Sequence, residues 1–407
     1  MKTSRKVIVV GAGPVGSIMA HALRRKGIPV ALVEALAEPE IDCRAASCHP
    51  PTVAMLDALG LLEDGLDQGL VSPVFHYLDR PTSQLIARFD IREMQDVPSH
   101  PYVLQWEQYK IVKTIVPRLM ADDGAEVRMS TRLLDIEQTA DGVRARIQTE
   151  GQDEETIEGA YLVGCDGARS TVRKLTGFEF EGFTWPERFL KIDTHFDFTT
   201  LRPEIDNRNY FSDPDEWLNL FKARGPDGGG QWRAVSPTLP EQTEEELLDP
   251  AFIEARLQKF CPKPGTYDIA TVATYRVHQR VATSFNQGRV LLAGDAAHVN
   301  NPVGGMGMNG GIHDAVNLTD KLSAILLEGQ DAEPLLDRYT RQRRKAQTDF
   351  VQAQSIQNKK TLGEADPVAR AANLNAIRTA GATPALHDAF IRRACMIDAV
   401  QVADAVL

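Results

Sequence analysis

Hydrophobic and polar residues follow a regular order over the first 35 residues of the chain. The run Lys6-Val-Ile-Val-Val10 is β-branched and apolar, which predicts a buried parallel strand. Residues 18–26 then show helical spacing of apolar positions, and Gly27 is placed to end the helix. Residues 28–33 predict a second strand. The order strand, helix, strand predicts a parallel βαβ unit.

The turn between the first strand and the helix carries a glycine fingerprint. Gly11 permits a tight turn, Gly13 lets the backbone approach a pyrophosphate, and Gly16 allows close packing of helix on strand. The helix N-terminus offers unpaired N–H groups to phosphates, and Glu34 is placed to accept hydrogen bonds from a ribose. The pattern predicts a dinucleotide site without distinguishing FAD from NAD. Its expected residues are Gly11, Gly13, Pro14, Val15, Gly16, Glu34 and Ala35.

Two later segments repeat the pattern of an apolar strand that ends at an acidic residue. Residues 160–164 run into Asp166-Gly167, and Val290–Ala293 runs into Gly294-Asp295. A carboxylate at the end of such a strand can bind sugar hydroxyls. Five glycines follow within the eight residues 304–311, without the Ser/Pro composition of a linker. Residues 312–327 predict a helix whose N-terminus suits an electron-rich group.

In their order and spacing these segments resemble the motifs of the FAD-dependent monooxygenase family. The resemblance is to the single-component (group A) flavoprotein aromatic hydroxylases, of the 4-hydroxybenzoate hydroxylase and 3-(3-hydroxyphenyl)propionate hydroxylase types. Asp166-Gly167 matches the DG motif of the family, and Gly294-Asp295 matches its GD motif. Arg44 lies where the family places an arginine on the FAD, and Gln105 resembles a glutamine beside the flavin.

The resemblance implies non-covalently bound FAD, with NAD(P)H as a transient co-substrate and O₂ as the oxidant. In this family NAD(P)H reduces the flavin, which reacts with O₂ at C4a, and the hydroperoxide inserts one oxygen atom into an electron-rich ring. Pro302 would stiffen the glycine loop near the reactive ring and thus counts as catalytic. The further implied FAD residues are Arg44, Gln105, Asp166, Asp295, Pro302, Gly305, Gly307, Met308 and Asn309. No metal is implied.

Residues 183–280 lack the βαβ rhythm and alternate between apolar and polar positions, which predicts antiparallel strands. The family places its substrate sheet in this part of the chain. Tyr210 can help to deprotonate a phenol, and Arg233 can bind a substrate carboxylate. His195, Tyr275 and His278 are weaker candidates. Alternation does not reveal which face meets the flavin, because a shift of one residue exchanges the faces.

The predicted fold class is α/β, with a Rossmann-like GxGxxG FAD-binding domain, an inserted β-rich α+β substrate domain and a helical C-terminal tail. The expected boundaries are 1–75, 100–182 and 280–345 for the FAD-binding domain, 76–99 and 183–279 for the substrate domain, and 346–407 for the helical segment. A chain of 407 residues with 43% hydrophobic and 25% charged residues is typical of a globular protein and argues against long disorder.

Charge, cysteine content and hydropathy argue against several classes of protein and of binding site. The net charge of −11 argues against nucleic-acid binding, which needs a broad basic surface. Five cysteines without a CxxC pair argue against a disulfide framework and a zinc site. The apolar start mimics a secretory signal, but its glycines belong to the nucleotide motif. No run of about 18 apolar residues predicts a membrane span. We expect a cytoplasmic monomer or homodimer.

The expected activity is NAD(P)H- and O₂-dependent hydroxylation of an aromatic or heteroaromatic small molecule that carries a phenol or a carboxylate. An FAD-dependent reductase or dehydrogenase of the same fold is the main alternative, and a non-catalytic FAD-binding protein is another. A flavin-dependent halogenase is disfavoured, because none of the four tryptophans lies in a Trp-x-Trp-x-Ile-Pro segment. The choice of substrate and of NADH or NADPH stays open.

Overall fold

The computed structural model describes residues 5–39 and 45–407. Its strands are β1 Val7–Val10, β2 Val30–Val33, β3 Ser47–Cys48, β4 Leu70–Ser72, β5 Val74–Asp79, β6 Gln84–Asp90, β7 Val103–Gln105, β8 Ala125–Arg128, β9 Thr131–Gln138, β10 Val143–Thr149, β11 Glu154–Gly159, β12 Tyr161–Gly164, β13 Phe180–Thr194, β14 Arg208–Ser212, β15 Leu218–Ala223, β16 Gln231–Pro237, β17 Ile269–Ala282, β18 Asn286–Gln287, β19 Val290–Leu292 and β20 His298–Val299.

Helices make up most of the remaining structure. They are α1 Pro14–Arg25, α2 Pro50–Ala58, α3 Leu62–Gln68, α4 Gln108–Met120, α5 Thr171–Leu175, α6 Glu244–Leu248, α7 Pro250–Phe260, α8 Gly307–Glu328, α9 Ala332–Lys345, α10 Ala353–Leu362, α11 Pro367–Ala382, α12 Pro384–Ala394 and α13 Ile397–Asp404. A π-helix at Ala346–Gln352 joins α9 to α10, and Gly294–Ala296 forms a short 3₁₀ helix.

A six-stranded sheet in the order β18-β19-β12-β1-β2-β8 forms the centre of the nucleotide-binding part. Its neighbours pair in parallel, except β18, which runs antiparallel to β19. The central strands are completely buried, because α1, α4 and α8 pack on the sheet and apolar residues of β9, β10 and β11 join the same core. The carboxyl ends of β1, β2, β12 and β19 therefore lie side by side along one edge.

A larger sheet of eight strands follows the order β20-β17-β13-β16-β15-β14-β5-β6. It is antiparallel except where β14 pairs in parallel with β5. One face packs on α7 through Ile253, Leu257 and Phe260. The opposite face, which we call the inner face, packs on α11 and α12 and on Val303. Val303 belongs to residues 302–306, which precede α8 and which we call the glycine loop. Two smaller sheets, β11-β10-β9 and β3-β7-β4, complete the described strands.

Strand register determines which polar side chains share the inner face. Arg208, Phe221, Arg233 and Asp193 are paired in one row across β14, β15, β16 and β13. The next row contains Tyr77, Tyr210, Asn219 and Val235. Tyr210 and Arg233, the two predicted substrate residues, therefore lie on the same face but in different rows.

Helix α8 begins earlier than the sequence predicts. Glycine disfavours helix, so residues 304–311 read as a loop that ends before Ile312. In the structure α8 starts at Gly307, because Gly311 lets it approach the first motif. A Cβ atom at Gly311 would lie 2.4 Å from Val15 Cγ2. A Cβ atom at Gly310 would similarly lie 2.6 Å from Gln347 Nε2, so tight packing explains Gly310 and Gly311.

The C-terminal helices lie against both the inner face and the glycine loop. Phe390 of α12 stacks on Phe89 of β6 at a centroid distance of 4.1 Å, and α11 packs along β6. Met396 and Ala399 pack on Met306 of the glycine loop. These contacts show a helical C-terminal region joined to the sheet, and the predicted α/β fold class is confirmed. No described helix is long and apolar enough to cross a membrane.

A buried charge cluster stabilises the centre of the inner face. Asp193 accepts hydrogen bonds from Arg233 Nε at 2.7 Å and Nη2 at 3.0 Å, and Lys191 Nζ lies 3.4 Å away. Burial raises the pKa of Asp193, but Arg233 and Lys191 outweigh it and hold that pKa below its usual value. The resulting stabilisation is present above the ordinary aspartate pKa and is lost as pH falls through the folded-state pKa.

We predict that Asp193→Asn lowers the free energy of unfolding by about 3–5 kcal/mol, because two buried cations lose their counter-charge. Arg233→Met should cost less, since Lys191 still neutralises Asp193. Chemical denaturation of the purified variants measures both losses. Arg144→Met, at an exposed position of β10, is the control and should change stability by at most about 0.5 kcal/mol. Equal losses at Asp193 and Arg233 would contradict this account.

Candidate active site

The shared carboxyl edge of four parallel strands brings the predicted nucleotide-binding residues together. Gly11 follows β1, Glu34 follows β2, Asp166 follows β12 and Asp295 follows β19. Open α/β sheets bind ligands at this edge, because the loops after the strands diverge there. Arg44, the arginine expected on the FAD, lies outside the described residues.

The three glycines of the first motif serve different purposes. Gly11 has a φ of +99°, and a Cβ there would lie 2.6 Å from the Cys165 carbonyl oxygen. A Cβ at Gly16 would lie 1.8 Å from the Gly11 carbonyl oxygen, so this glycine permits the helix to pack on the strand. A Cβ at Gly13 would meet nothing within 4 Å. Gly13 is therefore the glycine that leaves open space at the start of α1, next to Pro14.

The acidic residues at this edge also shape the loops that carry them. Glu34 accepts hydrogen bonds from the backbone N–H groups of Ala12 at 2.6 Å and Leu36 at 2.9 Å, and the adjacent Ala35 is exposed. Asp166 caps the start of α5, where it accepts from the backbone of residues 171 and 172. Asp295 is exposed at the short helix after β19. Glu34 and Asp295 thus present carboxylate oxygens along the open edge.

A buried ion network, which the sequence did not reveal, holds the Gly294-Asp295 turn. Asp314 of α8 accepts from the Gly294 backbone at 3.0 Å, pairs with His298 Nε2 at 2.6 Å and accepts from Arg343 Nε at 2.6 Å. Burial raises the pKa of Asp314, but His298 and Arg343 outweigh burial and lower it. His298 is therefore a structural partner of α8 and anchors the turn.

Asn309 fixes the glycine loop to a distant part of the chain. Its Oδ1 accepts from the His49 backbone at 2.8 Å and from Thr52 Oγ1 at 2.6 Å. Its Nδ2 donates to the carbonyl oxygens of Ser47 at 2.7 Å and Gly305 at 2.6 Å. All four hydrogen-bonding positions of the amide are occupied within the protein. Only the backbone N–H of Asn309 is left for a ligand.

Unpaired donors surround the start of α8. The backbone N–H groups of Gly307, Met308 and Asn309 lie in the first turn, where no intrahelical carbonyl reaches them. Gln105 is buried; its Oε1 accepts from Ser47 Oγ at 2.8 Å, and its Nε2 has no partner among the described residues. Ser47 Cβ lies 3.3 Å from the Cβ position of Gly305. Gln105, through Ser47, and the first turn of α8 therefore border the same loop.

The glycine loop itself is a tight turn. The N–H of Gly305 donates to the carbonyl oxygen of Pro302 at 3.0 Å, and Gly305 has a φ of +66°. Pro302 is half-buried at the entry of this turn. The residues fit a flavin nucleotide: Gly13 leaves room for a pyrophosphate, Glu34 and Asp295 offer acceptors to hydroxyls, and the donors around Gly305 suit an electron-rich ring.

The two predicted substrate residues differ in their surroundings. Tyr210 is half-buried and stacks on Tyr77 at a centroid distance of 5.2 Å. Arg233 is completely buried and its guanidinium is bound to Asp193 through two hydrogen bonds. A substrate carboxylate at Arg233 would have to compete with Asp193. The predicted substrate roles of both residues stay predictions.

Three further buried polar residues were missed from the sequence. The His49 ring nitrogens make no well-aligned hydrogen bond among the described residues, although the backbone of Gly304 and Cys395 lies close to the ring, and Nε2 is 3.7 Å from the Cβ position of Gly305. Burial, with Arg208 and His313, lowers the pKa of His49 to about 3. Arg208 Nη1 and Asn219 Oδ1 are also buried, and neither has a hydrogen-bond partner in the described part of the chain. Arg208 lies two residues before Tyr210, so strand alternation was the available signal for it.

We predict that Gly13→Ala impairs FAD binding without affecting folding, whereas Gly16→Ala impairs folding. Gly13→Ala should leave the stability of the FAD-free protein within about 0.5 kcal/mol but reduce FAD retention, because its methyl group enters only the open space. Gly16→Ala should destabilise the fold itself, because its methyl group overlaps the Gly11 carbonyl. Thermal unfolding of FAD-free protein and flavin absorbance of purified protein measure the two effects. A Gly13→Ala variant with full FAD content would contradict the assignment.

Comparison with known proteins identifies the family. Residues 4–354 match the family described as FAD binding domain. Para-nitrophenol 4-monooxygenase of Pseudomonas sp. strain WBC-3 is 33% identical over 394 residues, which cover 96% of this chain and 95% of that protein. The 6-hydroxy-3-succinoylpyridine 3-monooxygenase of Pseudomonas putida S16 is 32% identical over 371 residues, 90% of this chain and 91% of that protein.

A solved structure gives the same result. The crystal structure of p-nitrophenol 4-monooxygenase PnpA from Pseudomonas putida DLL-E4 matches with a TM-score of 0.90 and 31% identity, and the match covers 98% of this chain and 99% of that one. The family match, the full-length relatives and the shared fold agree with the geometry of the carboxyl edge and the glycine loop. This chain belongs to the FAD-dependent aromatic monooxygenase family.

Proposed function

We propose that this protein is an NAD(P)H- and O₂-dependent flavin monooxygenase that hydroxylates an aromatic or heteroaromatic ring bearing a phenol or an acid group. The observation that carries the proposal is the meeting of two surfaces at the glycine loop. The backbone donors of α8, the Gln105 amide behind Ser47 and the His49 ring border the loop, and the charge of the buried Arg208 reaches His49 from the inner face. The two relatives described above are named for a nitrophenol and a hydroxypyridine.

Each group of residues has a separate task in this reaction. Gly13 and the start of α1 would hold the pyrophosphate of FAD, and Glu34 and Asp295 would hold its hydroxyl groups. When bound, FAD supplies the redox chemistry: it takes electrons from NAD(P)H and uses O₂ to oxygenate the substrate. The N–H groups at Gly307–Asn309 are oriented to stabilise negative charge beside them.

The inner face supplies the surroundings that the reaction requires. Phe75, Tyr77, Phe89 and Phe390 pack together beside the site and exclude water from that side. Tyr210 lies at the border of this aromatic cluster, with its hydroxyl 3.4 Å from Arg208 Nη2. We propose that Tyr210 contacts the substrate ring there. The turn from Pro302 to Gly305 keeps the loop at a constant distance from that ring.

The location and assembly of the protein are also part of the proposal. Four described cysteines, Cys48, Cys165, Cys261 and Cys395, are buried free thiols, which suits a reducing compartment that contains NAD(P)H. We therefore propose a cytoplasmic enzyme, present as a monomer or a homodimer, whose partners are small molecules.

The test of the function is coupled turnover. We predict that 4-nitrophenol or a hydroxypyridine acid accelerates NAD(P)H oxidation and is converted to a product that incorporates one atom from isotopically labelled O₂. Oxygen consumption, peroxide release and product mass are measured together, and FAD-free protein is the control. Flavin reduction that proceeds without O₂ consumption, with a reduced organic product, would favour the reductase alternative. Failure of every aromatic compound to accelerate flavin reduction would sink the proposal.

Three arginines form a cationic patch beside the Asp166-Gly167 turn. The patch favours binding of an anionic electron donor such as NAD(P)H. Arg169, Arg276 and Arg280 have no ion pair within the described residues, and Arg280 lies on β17 where this strand pairs with β20. All three arginines surround His278: burial is the main cause that lowers its pKa, and Arg280, Arg276 and Arg169 lower it further. The patch is open to solvent, because Arg169 and Arg276 are exposed.

We predict that the double substitution Arg276→Gln and Arg280→Gln raises KM for NAD(P)H about tenfold with little change in kcat, because an exposed and a half-buried favourable charge are lost. Raised salt should weaken the wild-type interaction in the same direction. Steady-state kinetics at saturating aromatic substrate measure KM, and Arg144→Gln on β10 is the matched loss of charge elsewhere. A larger effect on NADPH than on NADH would identify the extra phosphate as the bound group. An unchanged KM would exclude this docking site.

A further inference from the structure

Two buried arginines on the inner face differ in their counter-charge. Arg208 and Arg233 lie in the same cross-strand row, separated by Phe221. Arg233 is paired with Asp193 at 2.7 Å. Arg208 is only 5% exposed, yet it has no carboxylate partner within the described residues. Within the described residues, the fold therefore neutralises the charge of Arg233 and provides no counter-charge for Arg208.

The contacts of Arg208 do not compensate for its burial. Its Cζ lies 5.4 Å from the centre of the Phe75 ring, and Nη2 lies 3.4 Å from Tyr210 Oη. Nη1 is buried and has no hydrogen-bond partner within residues 5–39 and 45–407. A buried guanidinium without an anion is unfavourable, since a ring face and one long hydrogen bond replace only part of its hydration. The arrangement is explained if an anion binds to Nη1.

Other unsatisfied groups lie around the same position. Asn219 is directly opposite Tyr210 across β14 and β15, and its Oδ1 is buried and unpaired. The ring nitrogen Nε2 of His49 lies 3.7 Å from the Cβ position of Gly305 in the glycine loop. Burial has the largest effect on the pKa of His49 and of Cys395, and the charge of Arg208 acts to lower both pKa values, so the guanidinium lies close to the segment before α2 and to the end of α12. Arg208 and Asn219 share the inner face of the sheet, and His49 approaches Arg208 from the side of the loop.

We propose that Arg208 binds the negatively charged oxygen of an aromatic substrate, with Asn219 and His49 as further hydrogen-bonding partners of that substrate. This inference rests on the proposed function and names its substrate class as a planar aromatic anion. Stacked rings beside Arg208, Tyr77 on Tyr210 and Phe75 on Phe89, favour a flat ligand. The charged oxygen belongs to either a ring phenolate or a ring carboxylate. Arg233 remains the structural partner of Asp193.

The experiment compares charged ligands with neutral ligands of the same shape. Binding to the FAD-loaded protein is measured by the change in flavin absorbance, with 4-hydroxybenzoate against 4-hydroxybenzamide and with 4-nitrophenol against 4-nitroanisole. The wild-type protein should bind at least one anion roughly 30-fold more tightly than its neutral counterpart. Arg208→Gln should remove that preference by weakening the anion alone. Arg144→Gln, a matched loss of one positive charge at an exposed position, should keep it.

A second measurement separates binding from a structural role. The visible spectrum of bound 4-nitrophenol reports its ionisation, and the positive charge of Arg208 should lower the pKa of the bound phenol by about 1 or more. Arg208→Gln should remove this decrease, which a purely structural arginine would not produce. Preference for 4-nitrophenol identifies a phenolate site, and preference for 4-hydroxybenzoate identifies a carboxylate site.

Two results would overturn the inference. One is a wild-type protein that binds the neutral compounds as tightly as both anions, an outcome that needs no variant to fold. The other is an Arg208→Gln protein, still loaded with FAD, whose affinity for anion and neutral compound falls equally or does not change. Anion-selective binding without turnover would leave this inference intact and defeat only the proposed function. Coupled turnover of aromatic compounds without charge preference would do the reverse.

Discussion

The amide of Asn309 is the interaction on which the site depends, because it joins segments that are about 260 residues apart in the chain. It binds the Gly305 carbonyl of the glycine loop and the Ser47 carbonyl and His49 N–H of the segment before α2 in one set of hydrogen bonds. An amide can donate twice and accept twice, whereas a carboxylate of the same shape cannot donate when ionised. Asn309 therefore sets the distance between the segment that carries His49 and the glycine loop.

Helix α8 extends this connection to the nucleotide end of the site. Its Gly311 packs on Val15 of the first motif, and its Asp314 binds the backbone of Gly294 and the side chain of His298. One helix thus contacts the glycine fingerprint, the Gly294-Asp295 turn and the glycine loop. A rigid helix at this junction keeps three separate segments of the chain in one geometry, as a pre-organised site requires.

Charge on the inner face follows a simple rule with one exception. Buried cations need a buried counter-charge, and Arg233 and Lys191 share Asp193 in this way. Arg208 is buried in the same row without such a partner in the described chain. Its charge reaches His49, which borders the glycine loop. Arg233 therefore contributes to stability, and Arg208 is the arginine that we propose for substrate recognition.

The sequence by itself determined the family and the α/β fold, because glycine spacing and acids after apolar strands are local features. It also indicated that residues 183–280 contain alternating antiparallel strands. It could not show that only Gly13 of the three glycines leaves open space, that α8 begins at Gly307, or that the Asn309 side chain is fully engaged. Each of those depends on a partner far away in the chain. The difference between Arg208 and Arg233 was likewise decided by the tertiary structure, because only strand register determines which arginine meets Asp193.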